Sequence, residues 1–312
     1  MTYLDYLNKH FPIRKSDHEK HNFREYVLKE LKNKGIESRV EETQDGKNKN
    51  LIIGDPLNAK AIFVAHYDTP ARSLFPNIMI PKNSLLFYSY QFVPILFLLV
   101  VSFTLAYIFG IVILNDERAY ILSFLVLYYS IFFLMMRGFK NPYNYNDNTS
   151  GVATILSIID KLSRDELKNV AFILFDNEEK GKKGSLAYFK DYKDDMSDKF
   201  LLNFDCVGNG DNVIFIANKK AINMSEFELL KNSFSSNESY ILHFTDYKKA
   251  QSNSDHKSFP CGVACVVCKK SKGSLLYTPH IHTPKDVMVD NGNIDYLSKN
   301  ICQFIRKLKE NL

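Results

Sequence analysis

The sequence predicts an α/β fold: a three-layer sandwich around a mostly parallel or mixed sheet, with a two-helix transmembrane insertion. Three observations carry that expectation. Short apolar runs of strand length alternate with helical patterns over most of the chain. Two long apolar runs lie side by side between residues 84 and 136 and interrupt that alternation. His66, the adjacent Glu178 and Glu179, and Asp205 each fall at or just beyond the C-terminal end of an expected strand, where open α/β sheets assemble their sites.

In chain order, residues 16–34 read as an amphipathic helix. Phe23, Tyr26, Val27 and Leu31 mark one face, and Gly35 ends it. Apolar runs at 51–53 and 61–65 follow as short strands. Beyond the insertion a helix is expected over 149–162, then a strand at 170–175 and a helix near 185–189. Strands at 200–204 and 213–216, a helix near 225–232, a strand at 263–268 and a last helix over 294–308 complete the pattern. No internal repeat is evident.

The insertion occupies residues 71–140. Its first run, 84–114, is interrupted by few polar residues, Gln91, Ser102 and Thr104 among them, with Pro94 and Gly110 placed to bend or bound it. Asn115, Asp116, Glu117 and Arg118 separate it from a second run, 119–136. Neither run has the polar face of a soluble amphipathic helix, so the expectation is a membrane hairpin with helices at about 86–114 and 119–136. A helical lid or a dimerisation hairpin is the alternative. A hairpin returns the chain to the side it left, so residues 1–70 and 141–312 can form one catalytic domain. Arg72, Lys82, Arg137 and Lys140 flank the hairpin against Arg118 alone in its turn, which places that domain in the cytoplasm.

Composition narrows the partners. The 40 Lys and Arg are mixed with 35 Asp and Glu for a net charge of +5, a solvated surface with no nucleic-acid footprint. Residues 1–11 carry no apolar core of a secretory signal. The five cysteines, Cys206, Cys261, Cys265, Cys268 and Cys302, are odd in number and irregular in spacing, which fits a reducing compartment. Cys261, Cys265 and Cys268 have a spacing some iron–sulfur enzymes use. Within one strand, however, Cys265 and Cys268 point to opposite faces, so buried apolar packing is the better account.

Five scattered segments together supply donors for two metal ions. His66 and Asp68 stand at i and i+2 at a strand end, where Asp68 can orient the imidazole while His66 binds metal. Asp147, in a run of Asn, Thr and Ser before a helix, reads either as a helix cap or as a carboxylate with one oxygen on each metal. Of Glu178 and Glu179, one can bind metal while its neighbour takes a proton from water. Asp205 at a strand end needs a partner that a metal would supply. His282 and His280 compete for the last position.

These segments resemble peptidase family M28, the co-catalytic zinc aminopeptidases. The family pattern occurs in order as His66–Asp68, Asp147–Gly151, Glu178–Ser185, Asn203–Gly208 and His282–Asp286. The resemblance implies a zinc-aminopeptidase-like fold. It also implies that His66 and Asp205 bind one zinc, that Glu179 and His282 bind the other, that Asp147 bridges them and that Glu178 is the general base. Ser254, Asp255 and His256 resemble the family's Ser-Asp-His segment near the substrate pocket. Two departures stand out: His66 and Asp147 are 81 positions apart, and Ile281 stands where some relatives carry an oxyanion-binding Tyr, for which Tyr277 is the substitute considered.

The function expected is a membrane-anchored di-zinc aminopeptidase that hydrolyses peptide bonds through metal-bound water, with Glu178 and Asp68 as catalytic residues. Two Zn2+ per chain are expected, with Co2+ or Mn2+ as other possible ions. The partners are a peptide with a free N-terminus and lipid around the hairpin; no oligomeric state is assigned. The alternatives are a glutaminyl cyclase-like enzyme on the same fold and a non-catalytic membrane-anchored binding domain.

Overall fold

The computed structural model describes residues 1–73, 77–236 and 238–310, and only the backbone of 135–137. The last two residues of the expected catalytic domain, 311–312, and the Arg137 side chain invoked for topology lie outside the described residues.

Among the described residues ten strands form one mixed sheet: β1 (Ser38–Glu42), β2 (Lys49–Ile53), β3 (Ala61–His66), β4 (Asn77–Met79), β5 (Val170–Phe175), β6 (Phe200–Phe204), β7 (Asn212–Ala217), β8 (Ile241–Asp246), β9 (Gly262–Lys270) and β10 (Leu276–Ile281). The helices are α1 (Tyr3–His10), α2 (Asp17–Asn33), α3 (Ser84–Tyr107), α4 (Glu117–Arg137), α5 (Ser150–Lys161), α6 (Arg164–Leu167), α7 (Lys183–Asp191), α8 (Lys193–Met196), α9 (Ser225–Lys231) and α10 (Asn291–Glu310). The sheet order is β1-β2-β5-β3-β6-β9, where β5, β3, β6 and β9 are parallel. Beyond β9 the sheet divides: β7 pairs along most of β9 and carries β8, while the last residues of β9 pair with β10, which carries β4.

Every residue of β3, β5 and β6 is buried. A parallel sheet covered on both faces requires this, and it explains why these strands read as unbroken apolar runs. On one face Phe63, Phe172 and Phe204 pack under α2, α5 and α10 through Phe23, Val27, Ile155, Leu297 and Ile301. On the other, Ile62, Val64 and Ile173 pack against Tyr188 of α7 and Phe259. The three-layer α/β arrangement is therefore as the sequence predicts. Cys265 and Cys268 fall in different apolar clusters on opposite faces of β9, and all five cysteines are buried and unpaired.

Four strands were not expected. β1 and β8 are only partly buried edge strands with weak apolar patterning. β4 is three residues long. β10 carries Pro279 and His280, residues that sequence patterns place outside strands.

The two ends of the 71–140 segment meet. Ala71 and Lys140 form an antiparallel bridge, and the Arg72 N–H donates to the Phe139 carbonyl at 2.8 Å. Within it, Ser84–Ile113 and Glu117–Leu134 are each long and apolar enough to cross a membrane. α3 runs through Pro94, and Asp116 caps α4. The helices cross closely at Gly110, where a Cβ would lie 2.3 Å from the Tyr120 backbone. Their outer surfaces stay apolar: Phe92, Leu96 and Leu122 are 62–65% exposed. The segment is more than a hairpin, because β4 leaves it to pair with β10 of the core sheet.

Candidate metal centre

The C-terminal edge of the parallel strands gathers the acidic and imidazole side chains. His66 is the last residue of β3 and lies beside Phe175 of β5 in register. Three residues later Glu178 opens a short turn, and Asp205 follows β6 directly. His282 follows β10. Asp147 stands three residues before α5, and the Asp147–Asn148 peptide is cis. Gly151 in the first turn of α5 lets that helix sit against β6; a Cβ there would lie 2.4 Å from the Phe204 carbonyl. Asn148 closes the junction, its Nδ2 donating to that carbonyl and its Oδ1 accepting from the Gly151 N–H.

Asp147 is the centre of the arrangement. Its Oδ1 lies 3.3 Å from His66 Nε2 and its Oδ2 lies 3.0 Å from His282 Nε2. Asp205 Oδ1 is 3.9 Å from His66 Nε2, and Glu179 Oε2 is 3.3 Å from His282 Nε2. Three groups of donor atoms result, each within 4.8 Å: His66, Asp147 and Asp205; Asp147, Glu179 and His282; and His66, Glu178 and Glu179. His66 Nε2, Glu179 Oε1 and Asp205 Oδ1 are buried without a hydrogen-bond partner of proper geometry. Buried donors of this kind, aimed at common points and otherwise unsatisfied, fit metal ions. His280, the sequence alternative to His282, belongs to none of these groups among the described residues.

Electrostatics agree with that fit. Burial would lower the pKa of both imidazoles, but Asp147 and Asp68 around His66, and Glu179 and Asp147 around His282, outweigh it and raise both well above the ordinary value. Burial raises Glu178 well above the carboxylate range; His66 opposes the shift, and Asp255 and Glu179 add to it. Burial raises Glu179 and Asp205 as well. For Asp147 burial acts upward too, but His282 and His66, each facing one of its oxygens, outweigh it and its carboxyl is lowered. The site holds more buried carboxylates than counter-charges, an imbalance that cations relieve.

Asp68 does more than the sequence suggested. His66 Nδ1 lies 3.2 Å from the Asp68 carbonyl and 3.5 Å from its carboxylate. That carboxylate also accepts the backbone N–H groups of Glu178 and Glu179, at 3.0 and 3.2 Å. One acid therefore positions the imidazole and the double-glutamate turn together. Two further supports, Lys20 and Arg14, were missed in the sequence, and a third, Asp286, stood at the end of the last motif with no role of its own. Lys20 of α2 is buried, with Nζ 2.7 Å from Asp176 and 2.9 Å from Asn177 Oδ1, just before Glu178. Arg14, fully buried, joins the Tyr67 carbonyl to Thr149 Oγ1. Asp286 accepts the Asp147 N–H at 3.1 Å. Asn177, Cys206 and His282 all hold positive φ, between 54° and 65°. Backbone strain thus concentrates at residues that carry or adjoin the site.

Ser254 Oγ accepts from Asn203, Asp255 is pushed up to about 7 by burial, and His256 is pushed down to about 3 by burial. Tyr277, considered as an oxyanion donor, pairs with Lys269 inside the sheet and is absent from the described lining of the cavity. That cavity has a volume of about 480 Å³, with Asp147, Glu178, Glu179, Asp205 and His282 in its lining. The insertion lines it too, through Asn77, Met79, Phe87, Tyr88 and Gln91.

The family model described as Peptidase family M28 matches residues 140–305, just over half of the chain and wholly beyond the hairpin. No sequence among the curated proteins matches the chain. Among solved structures it is similar to an aminopeptidase, LapA, of Legionella pneumophila (TM-score 0.56, 15% identity, 98% of this chain and 70% of that one). It is also similar to glutaminyl cyclases of Porphyromonas gingivalis (TM-score 0.57, 14% identity, 99% and 96% covered) and Macrostomum lignano (TM-score 0.51, 12% identity, 98% and 87% covered). At these identities the likeness shows a shared fold.

Proposed function

The chain belongs to peptidase family M28, and from that premise we propose that it is a membrane-anchored di-zinc aminopeptidase facing the cytoplasm. The observation that carries the reading is Asp147, which turns one oxygen to His66 and the other to His282. His66 and Asp205 would hold one zinc, Glu179 and His282 the other, and Asp147 would bridge them; Co2+ or Mn2+ could take the same donors. When bound, the ions polarise the scissile carbonyl and acidify the attacking water. Glu178, half-buried at the cavity wall, accepts the proton of that water and returns it to the leaving amine. Asp68 holds the turn so that Glu179 and Glu178 keep separate tasks.

The rival on the same fold is cyclisation of an N-terminal glutamine with one working metal. The second donor group, His66 with Asp147 and Asp205, favours two ions. Metal analysis by mass spectrometry should find two ions per chain, and a panel of fluorogenic aminoacyl substrates should be hydrolysed while their N-acetylated forms are not. One ion together with glutamine cyclisation would replace this reading with the cyclase. No ion and no turnover would replace it with a binding domain.

The anchor rests on the apolar outer surfaces of α3 and α4, which are too extensive for a water-exposed face. Residues 71–140 form the inserted unit, and 1–70 with 141–312 the catalytic domain. The protein is expected to remain with membranes through washes in high salt and carbonate. Its recovery from the soluble fraction without detergent would favour the lid or dimer account.

A further inference from the structure

We propose that the first turns of α3 are one wall of the substrate site at the membrane surface. The substrate is then a peptide whose apolar segment rests in the bilayer while its N-terminus enters the cavity. This deepens the peptidase reading and rests on it. Phe87, Tyr88 and Gln91 share one helical face, and that face lines the same cavity as Glu178 and His282. The wall is fastened to the catalytic layers. Asn83 caps α3, the Gln251 N–H donates to the Pro81 carbonyl at 2.7 Å, and Lys82 Nζ lies 2.7 Å from His243 Nδ1.

Helix lengths place this wall relative to the lipid. The apolar stretch Ser84–Ile113 has 30 residues and α4 has 21. At 1.5 Å per residue these span about 45 and about 31 Å, and the hydrocarbon core is about 30 Å thick. A tight turn joins the two helices, so they begin level on the far side. The surplus of roughly nine residues stands out on the catalytic side as residues 84–92, the stretch that bears Phe87, Tyr88 and Gln91. Tyrosine is enriched at the headgroup layer, and Tyr88 and Tyr90 both lie in this stretch. Lys182 and Lys257 line the same cavity and suit a rim facing anionic lipid. A peptide released from the bilayer would therefore meet Met79, Phe87 and Tyr88 before reaching Glu178.

The test uses the full chain in phosphatidylcholine–phosphatidylglycerol vesicles. Because all five natural cysteines are buried, Tyr88→Cys introduces a single reactive thiol into the wall. Leu85→Cys, on a residue that is 80% exposed and outside the cavity lining, is the control. Two peptides share their first four residues; one continues with Leu and Ala, the other with Gly and Ser. The apolar-tailed peptide should slow maleimide labelling of the Tyr88→Cys protein at a concentration lower by at least about tenfold, because partitioning raises its local concentration. Labelling of Leu85→Cys should not change. The wild-type protein should cleave the apolar-tailed peptide with a kcat/KM higher by a similar factor. Equal protection by both peptides, protection at Leu85→Cys as well, or protection by neither would overturn the inference. If the wild type hydrolyses no peptide at all, the peptidase reading fails. The labelling pattern, repeated with Glu178→Gln added, then still decides whether the wall binds membrane-borne peptides.

Discussion

Glu178→Gln will lower turnover by about 10²–10⁴ or more while two metal ions stay bound. The substitution keeps the shape of the side chain and removes its capacity to take a proton. The fold around it should hold, because the turn is fixed through the backbone: Asp68 accepts the N–H groups of residues 178 and 179 whatever side chain 178 carries. Glu179 and His282 also keep their approach of 3.3 Å. Steady-state kinetics on an aminoacyl substrate, paired with metal analysis of the same preparation, separates the roles. Near-normal turnover would move the base elsewhere, and loss of one ion would make Glu178 a ligand.

Asp147→Ala should remove both ions and bring turnover to background. Among the described residues no other carboxylate lies within 4.0 Å of both His66 and His282, and each lies within 3.3 Å of Asp147. The effect should also be visible in stability. Ions that bind only the folded chain stabilise it, by about 2.7 kcal/mol when present at a hundred times their dissociation constant. A chelator should therefore lower the Tm of the wild type and leave that of Asp147→Ala unchanged. Retention of one ion per chain by the variant would show that Asp147 serves a single ion and bridges nothing.

The parts of the site that were legible in the sequence are those carried by buried parallel strands. β3, β5 and β6 are apolar throughout, so a histidine or acid at the end of such a run is conspicuous, and His66, Glu178, Glu179 and Asp205 were placed in this way. His282 was not legible locally, because β10 contains Pro279 and makes only two paired contacts with β9; the motif alone separated it from His280. Buried cations were missed for a different reason. Helical periodicity puts Lys20 on the apolar side of α2 with Phe23, Val27 and Leu31, but a lysine there reads as a break in that face, and its ion pair with Asp176 joins residues 156 positions apart. The α3 wall was illegible on the same ground, since nothing local to Phe87 or Tyr88 announces a partner near Glu178.

The bridge between Ala71 and Lys140 has a consequence for how the enzyme is born. It closes a detour that separates His66 from Asp147 by 81 positions. At ribosomal rates of about 5–20 residues per second that interval lasts roughly 4–16 s. Both apolar helices emerge within it, before a second donor to the centre exists. On the anchored reading the nascent chain is delivered to the bilayer while it is still chemically inert. His282, the last donor translated, arms it only after it has reached its place of work, and neighbouring nascent chains are spared until then.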